Sequence, residues 1–312
     1  MRYIRWCISL SLLLLLPVTL PAQQSAPDGA LIGTWTLTDA SRVDSEEDDD
    51  DERPRTRGAR GVLILDGAGN VFEYFSIGSG GRSADEPEFN LGNVGGFWGR
   101  YAVEPEAGSL VFSSKDGVSP NVSDLDFARQ YELDGDQLVI TSADEPDAQG
   151  HMRWTWQRTP VVENLSPTYR NVIGFWQHVE EGQVTEGSTE IEEPRHRAPS
   201  VIVYTPSGFV GVHFPTQGRE APTAADDNAL RGYLGYFGTL NVYPGEVSHN
   251  VLSGVSPGTG SILRRYAAIN DDELVVRLQS LNNSGDSDEP RTATIVRLKR
   301  LSGAEDMLGQ AQ

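Results

Sequence analysis

Four residues in the second half of this 312-residue chain have the chemistry to polarise a carbonyl or move a proton: Tyr204, His213, Tyr236 and His249. His213 lies in the run Phe209-Val210-Gly211-Val212-His213-Phe214. Strand alternation there puts Phe209, Gly211 and His213 on one face, where a residue without a side chain leaves room for a ligand. His249, in Val247-Ser248-His249-Asn250-Val251, is expected to point into the same space, as are Tyr204 and Tyr236. Converged, the four would form a site; dispersed, they are satisfied interior polar residues or surface residues.

Other chemistries find little support. The histidines are His151, His178, His196, His213 and His249; none stands two or four positions from another, and no cysteine accompanies them, so neither a metal nor a cofactor is expected. There is no Gly-x-Ser-x-Gly, and Gly78-Ser79-Gly80-Gly81 leads into neither a helix pattern nor a lysine, which leaves hydrolase and nucleotide-dependent readings without a motif. Asp44 to Asp51 is almost wholly acidic, and Gly182 to Glu193 is acidic and glycine-bearing; both read as solvated loops, because the spacing of a calcium loop is missing. Pro54-Arg55-Thr56-Arg57 and Pro194-Arg195-His196-Arg197 place arginines beside these acidic stretches, and neutralising them is the simplest role.

The elements that must position these residues are written twice. Gly33-Thr34-Trp35 recurs as Gly174-Phe175-Trp176, Gly96-Phe97-Trp98-Gly99 as Gly235-Tyr236-Phe237-Gly238, and the block from Gly61 to Val71 as that from Ser200 to Val210. Arg129-Gln130-Tyr131 is matched to Arg264-Arg265-Tyr266, and Thr155 to Arg158 to Thr294 to Arg297, all in the same order. Such a fixed order predicts a tandem repeat with its boundary near Val161 to Tyr169. Each copy holds eight short runs rich in β-branched and aromatic residues, from 33–39 to 151–158 and from 174–181 to 291–299. Asp66-Gly67-Ala68-Gly69 and Thr205-Pro206-Ser207-Gly208 supply tight turns between them. Eight antiparallel strands close a small barrel, so the chain is expected to be all-β, two tandem eight-stranded antiparallel barrels over 30–160 and 170–301. The one helix pattern, Thr223 to Tyr233, reads as a rim or lid.

A basic start, Arg2 and Arg5, precedes the apolar run Trp6 to Leu20 and then Pro21-Ala22, the parts of a secretory signal peptide over residues 1–22. The run is short for a membrane span, and Cys7 falls inside it, so the exported chain would carry no disulfide and no membrane anchor. Loss of Arg2 and Arg5 takes 25 basic residues to 23 against 45 acidic ones. Such an excess of negative charge argues against nucleic acid as a partner and fits a solvated protein of the periplasm or exterior.

On the blocks Ile173-Gly174-Phe175-Trp176, Val203 to Gly208, Gly232 to Thr239 and Val247-Ser248-His249, the second copy resembles the bacterial and fungal lipocalin-like domain family. The first copy departs from that pattern: Leu65 stands for Tyr204, and Leu110-Val111-Phe112 is aligned with Ser248-His249-Asn250. The resemblance implies a barrel with an apolar cavity, and an arginine of the last strand lying over the first-strand tryptophan to close the barrel base: Trp35 with Arg158, and Trp176 with Arg297. The expected function is therefore binding of a small, largely apolar molecule in the second barrel, with Tyr204, His213, Tyr236 and His249 as ligand contacts. The rival readings are a cofactor-free isomerase or cyclase, and a structural protein whose barrels are filled with side chains.

Overall fold

The computed structural model describes residues 28–43, 58–77, 94–118, 122–142, 151–185, 188, 190–196, 199–215, 230, 233–278 and 292–308. The expected leader over 1–22, the acidic run Asp44 to Asp51, the Arg55 and Arg57 pair and most of the expected helix Thr223 to Tyr233 lie outside them.

Barrel one is a closed antiparallel meander of β1 (Gly33–Val43), β2 (Arg60–Leu65), β3 (Asn70–Ser76), β4 (Val94–Glu104), β5 (Ser109–Gly117), β6 (Asp126–Asp134), β7 (Gln137–Ser142) and β8 (His151–Thr159), with β8 returning to pair with β1. A short helix, α1 (Pro167–Val172), begins where Ser166 Oγ accepts from the Tyr169 amide at 3.1 Å with Pro167 in the first turn. Barrel two follows with β9 (Gly174–Thr185), β11 (Val201–Tyr204), β12 (Phe209–Phe214), β13 (Leu234–Tyr243), β14 (Glu246–Ser256), β15 (Ile262–Asn270), β16 (Glu273–Leu278) and β17 (Thr292–Ser302), closed by β17 against β9. The second acidic stretch is not wholly a loop. Gly182 to Thr185 continue β9, and β10 (Glu192–Arg195) pairs with that extension as a ninth strand. The chain's described part ends in α2 (Ala304–Leu308).

Turn geometry repeats with the strands. Gly69 and Gly208 end the two equivalent turns at φ +81° and +83°, a region open to glycine at little cost. Asp66 anchors the first turn, accepting from the Asn70 amide at 2.6 Å and from Asn70 Nδ2 at 2.7 Å. Burial inside this network raises the Asp66 carboxyl above its ordinary range.

Each barrel base is closed by an arginine over a tryptophan. Arg158 lies 4.0 Å from the Trp35 ring, donates to the Ile32 carbonyl at 2.7 Å and to that of Ala30, and pairs with Asp136 at 3.0 Å. In barrel two the counterpart is Arg300, not Arg297. Arg300 lies 4.0 Å from the Trp176 ring and donates to the carbonyls of Ile173 at 3.0 Å and Asn171 at 2.9 Å. Arg300 pairs across the strands with Trp176 as Arg158 does with Trp35, so the equivalent arginines stand 142 positions apart, three more than the 139 that separate Arg158 and Arg297. Arg297 instead donates to Glu180 at 3.0 Å on the barrel wall.

The two barrels share a core of their own. Along β6 and β15 exposure alternates residue by residue, as in strands with one face in water. Along β2, β3, β11 and β12 it does not: Val62 to Leu65, Val201 to Tyr204 and Val210 to Phe214 are buried on both faces. Their inward residues fill their own barrel, and their outward residues, among them Val62, Ile64, Phe72, Val201 and Val203, pack barrel against barrel with Trp98, Phe237 and Met307. Polar contacts cross the seam too. Trp98 Nε1 donates to the Pro199 carbonyl at 3.0 Å, Arg60 to that of Leu252 at 3.0 Å, Ser76 and Ser253 share a 2.8 Å bond, and Ser302 donates to Asp66.

Two outcomes test this arrangement. Arg300→Ala should lower the thermal unfolding midpoint distinctly, by a cation–π contact of about 0.5–2 kcal/mol and two lost carbonyl partners, and more than Arg297→Ala does. A side chain at Gly211 would fall on the Phe72 ring. Gly211→Val should therefore destabilise by about 1–3 kcal/mol, and Phe72→Ala in the same chain should remove most of that added penalty in a double-mutant cycle.

Candidate functional site

The registers give a residue-by-residue correspondence between the barrels, and with it the difference between their interiors. Leu65 and Tyr204 both face the first glycine of their barrel's first strand. Phe97 corresponds to Tyr236, since Trp98 and Phe237 precede matching bulges on the next strand. Counting back from the hairpin pairs Glu104–Ser109 and Tyr243–Glu246, His249 falls at the position of Phe112 rather than Val111, and Arg265 at that of Arg129.

Barrel one is filled at these positions. Glu73 accepts from Arg129 at 2.6 Å, and the guanidinium carbon lies 5.5 Å from the ring of Phe97, 5.6 Å from Phe112, 5.1 Å from Phe127 and 4.7 Å from Trp154. Phe97 and Phe112 meet edge to face with centroids 5.3 Å apart. Charge, counter-charge and aromatic rings leave a packed interior.

Barrel two replaces each of these with something smaller or more polar. Val212 stands for Glu73, Leu263 for Phe127, Val296 for Trp154, and Tyr236 and His249 for two phenylalanines. The volume released is a cavity of about 90 Å³, lined by Val212, Tyr236, His249, Leu263, Arg265, Val296 and further apolar residues, with Glu181 on its wall. On its wall Tyr236 Oη lies 2.7 Å from His249 Nδ1, and Tyr204, which does not line the cavity, places its Oη 3.2 Å from His249 Nε2. All three are buried. Burial, reinforced by the charge of Arg265, lowers the His249 imidazole to about 3, and burial pushes both phenols above their ordinary value.

The trio is thus neutral near pH 7. A neutral imidazole has one donor and one acceptor nitrogen, so one phenol donates to it and the other accepts from it. The accepting phenol keeps its own proton for a third partner. So feeble a base is badly matched to proton abstraction at neutral pH, and the trio is better suited to holding a polar group by hydrogen bonds.

Of the four expected site residues, three converge and one does not. Tyr204, Tyr236 and His249 meet inside barrel two; His213 points outward, into the seam. Its Nε2 is 3.2 Å from the Glu73 carbonyl, Tyr233 hydrogen-bonds its Nδ1, and the Phe72 ring stands 4.9 Å away. The space that Gly211 opens is taken by Phe72 of barrel one, not by a ligand. Arg265 and Val212 line the cavity and were not among the expected site residues. Their signal was available in the pairing of Arg129 with Glu73, which the second copy keeps by half. Trp35, Arg158 and Trp176 stand at the barrel bases, far from any role in the cavity beyond holding it. Arg195 is exposed on β10. Among the described residues no group of three or more His, Cys, Asp or Glu could hold a metal ion.

No family model matches the chain, and no curated protein does. Among solved structures it is similar to a protein of unknown function from the DUF3598 family of Nostoc punctiforme, at 10% identity over 87% of this chain and 97% of that one, with a TM-score of 0.22. The strand pairing itself, two closed eight-stranded antiparallel barrels in tandem, fits a lipocalin-like fold.

His249 makes barrel two sensitive to acid. An imidazole whose folded value lies near 3, below its unfolded value of 6.5, leaves stability intact above 6.5 and removes it as pH falls toward 3. The unfolding midpoint of the wild-type chain should drop more steeply between pH 7 and pH 4 than that of His249→Gln. Parallel curves would show that His249 is not buried as described.

Proposed function

We propose that the protein is exported to the periplasm or exterior and holds a small, largely apolar molecule inside barrel two, while barrel one serves as its packed support. The observation that carries this reading is the Tyr204–His249–Tyr236 network, with Tyr236 and His249 on the wall of an apolar cavity, whose counterpart in barrel one is Leu65, Phe97 and Phe112 around the Arg129–Glu73 ion pair. Buried hydroxyls and an imidazole stabilise less than the aromatic packing they replace. Their presence in one copy alone is what a binding role would require. The blocks shared with the bacterial and fungal lipocalin-like domain family favour the same use of a barrel, and the leader-like residues 1–22 favour export.

The cavity sets the size of the guest. At about 90 Å³ it is well under the roughly 300–1,000 Å³ of drug-sized ligand sites, so it takes a molecule of a few heavy atoms or the end of a longer chain. Native mass spectrometry of full-length protein purified from the organism that encodes it should show a retained small molecule. His249→Phe, which fills the cavity with the residue barrel one uses, should lose that adduct. A bare mass for the wild-type chain, or an adduct unaffected by His249→Phe, would overturn the reading.

A further inference from the structure

We infer that the guest of barrel two carries a carboxylate, and that Arg265 is the group that receives it. The inference rests on the binding role proposed above and adds the chemical class of the ligand. Its ground is the comparison of two arginines at one position. In barrel one Arg129 is paired with Glu73 at 2.6 Å and enclosed by four aromatic rings. In barrel two the arginine remains and its carboxylate is gone, because the position of Glu73 is Val212. Arg265 lines the cavity, is half-buried, and donates to the Arg264 carbonyl at 3.1 Å; it forms no ion pair among the described residues. Glu181, the acidic group on the same wall, lies 3.9 Å from His178 on its own strand.

A guanidinium facing a cavity offers a planar fork of donors that matches a carboxylate in two parallel hydrogen bonds. A ligand carboxylate would stand where barrel one places Glu73. The rest of the ligand would then run between Val212, Leu263 and Val296, with the free phenol proton of the tyrosine–histidine network available to a second oxygen. A phosphate suits the site less well. It brings more charge than one arginine can balance, into a cavity that already has Glu181 on its wall. The class is therefore a short monocarboxylate with an unbranched or compact apolar body.

Isothermal titration of the full-length protein with hexanoate and with 1-hexanol separates the two levels of the account, because the probes share a body and differ in charge. Hexanoate should bind at least tenfold more tightly than 1-hexanol. Arg265→Met should bring the two within about threefold. Val212→Glu, which restores the barrel-one pair from within, should abolish hexanoate binding while the unfolding midpoint stays near that of the wild type. Equal affinity for both probes in the wild type, or a preference for hexanoate that survives Arg265→Met, would overturn the carboxylate inference and leave the binding role standing. Failure of both probes to bind would overturn the binding role and this inference together. Should Arg265→Met fail to fold, Val212→Glu decides the matter by the same readout.

Discussion

A closed barrel has no edge to offer a partner, so two barrels on one chain can join only through their outer faces, and those faces must then be apolar. That constraint governs this molecule. Val62, Ile64 and Phe72 on one side and Val201, Val203 and Phe237 on the other would be a liability in water; against each other they form a third core as continuous as the two inside the barrels. The same strands line the barrel interiors with their alternate residues. Whatever happens at the seam is therefore felt one side-chain layer away, in the cavity. His213 shows the coupling plainly, since it hydrogen-bonds the backbone of Glu73, whose side chain holds Arg129 inside barrel one.

The seam also makes sense of the unequal interiors. An eight-stranded barrel is just wide enough to be filled by its own side chains. Barrel one is filled in this way, with aromatic rings about one ion pair. Barrel two gives up part of that packing for a small cavity and a buried polar trio, both of which weaken a core. The shared core with barrel one, reinforced by the Ser302–Asp66 and Ser76–Ser253 bonds, offsets that loss. In a tandem repeat, one copy can remain a scaffold while the other departs toward a site.

The all-β class and the two tandem eight-stranded barrels were legible in the sequence because apolar alternation and turn glycines report local structure directly. Tyr204, Tyr236 and His249, singled out by residue type, meet in one hydrogen-bonded network. Two expectations differ from the structure, each for its own physical reason. Alternation tells which residues share a face but not which face is inside, and His213 was assigned inward because Gly211 beside it looked like room for a ligand. The corrective signal lay in the neighbouring runs Val62 to Leu65 and Val201 to Tyr204, whose apolar residues do not alternate and so require cover on both faces. Arg297 was expected because a repeat spacing of 139 was carried to the last strand, whereas the spacing grows from 139 between Trp98 and Phe237 to 142 between Arg158 and Arg300.

The central claim is that the two interiors differ: barrel two has space beside His249, where barrel one is occupied by Phe97, Phe112, Phe127 and Trp154 around Arg129. Diffraction from crystals of the full-length protein pressurised with xenon tests it most directly, since xenon enters apolar cavities and leaves filled cores alone. The account predicts xenon density among Val212, Leu263 and Val296 and none around Arg129. Density inside barrel one, or an absence of density inside barrel two, would contradict it.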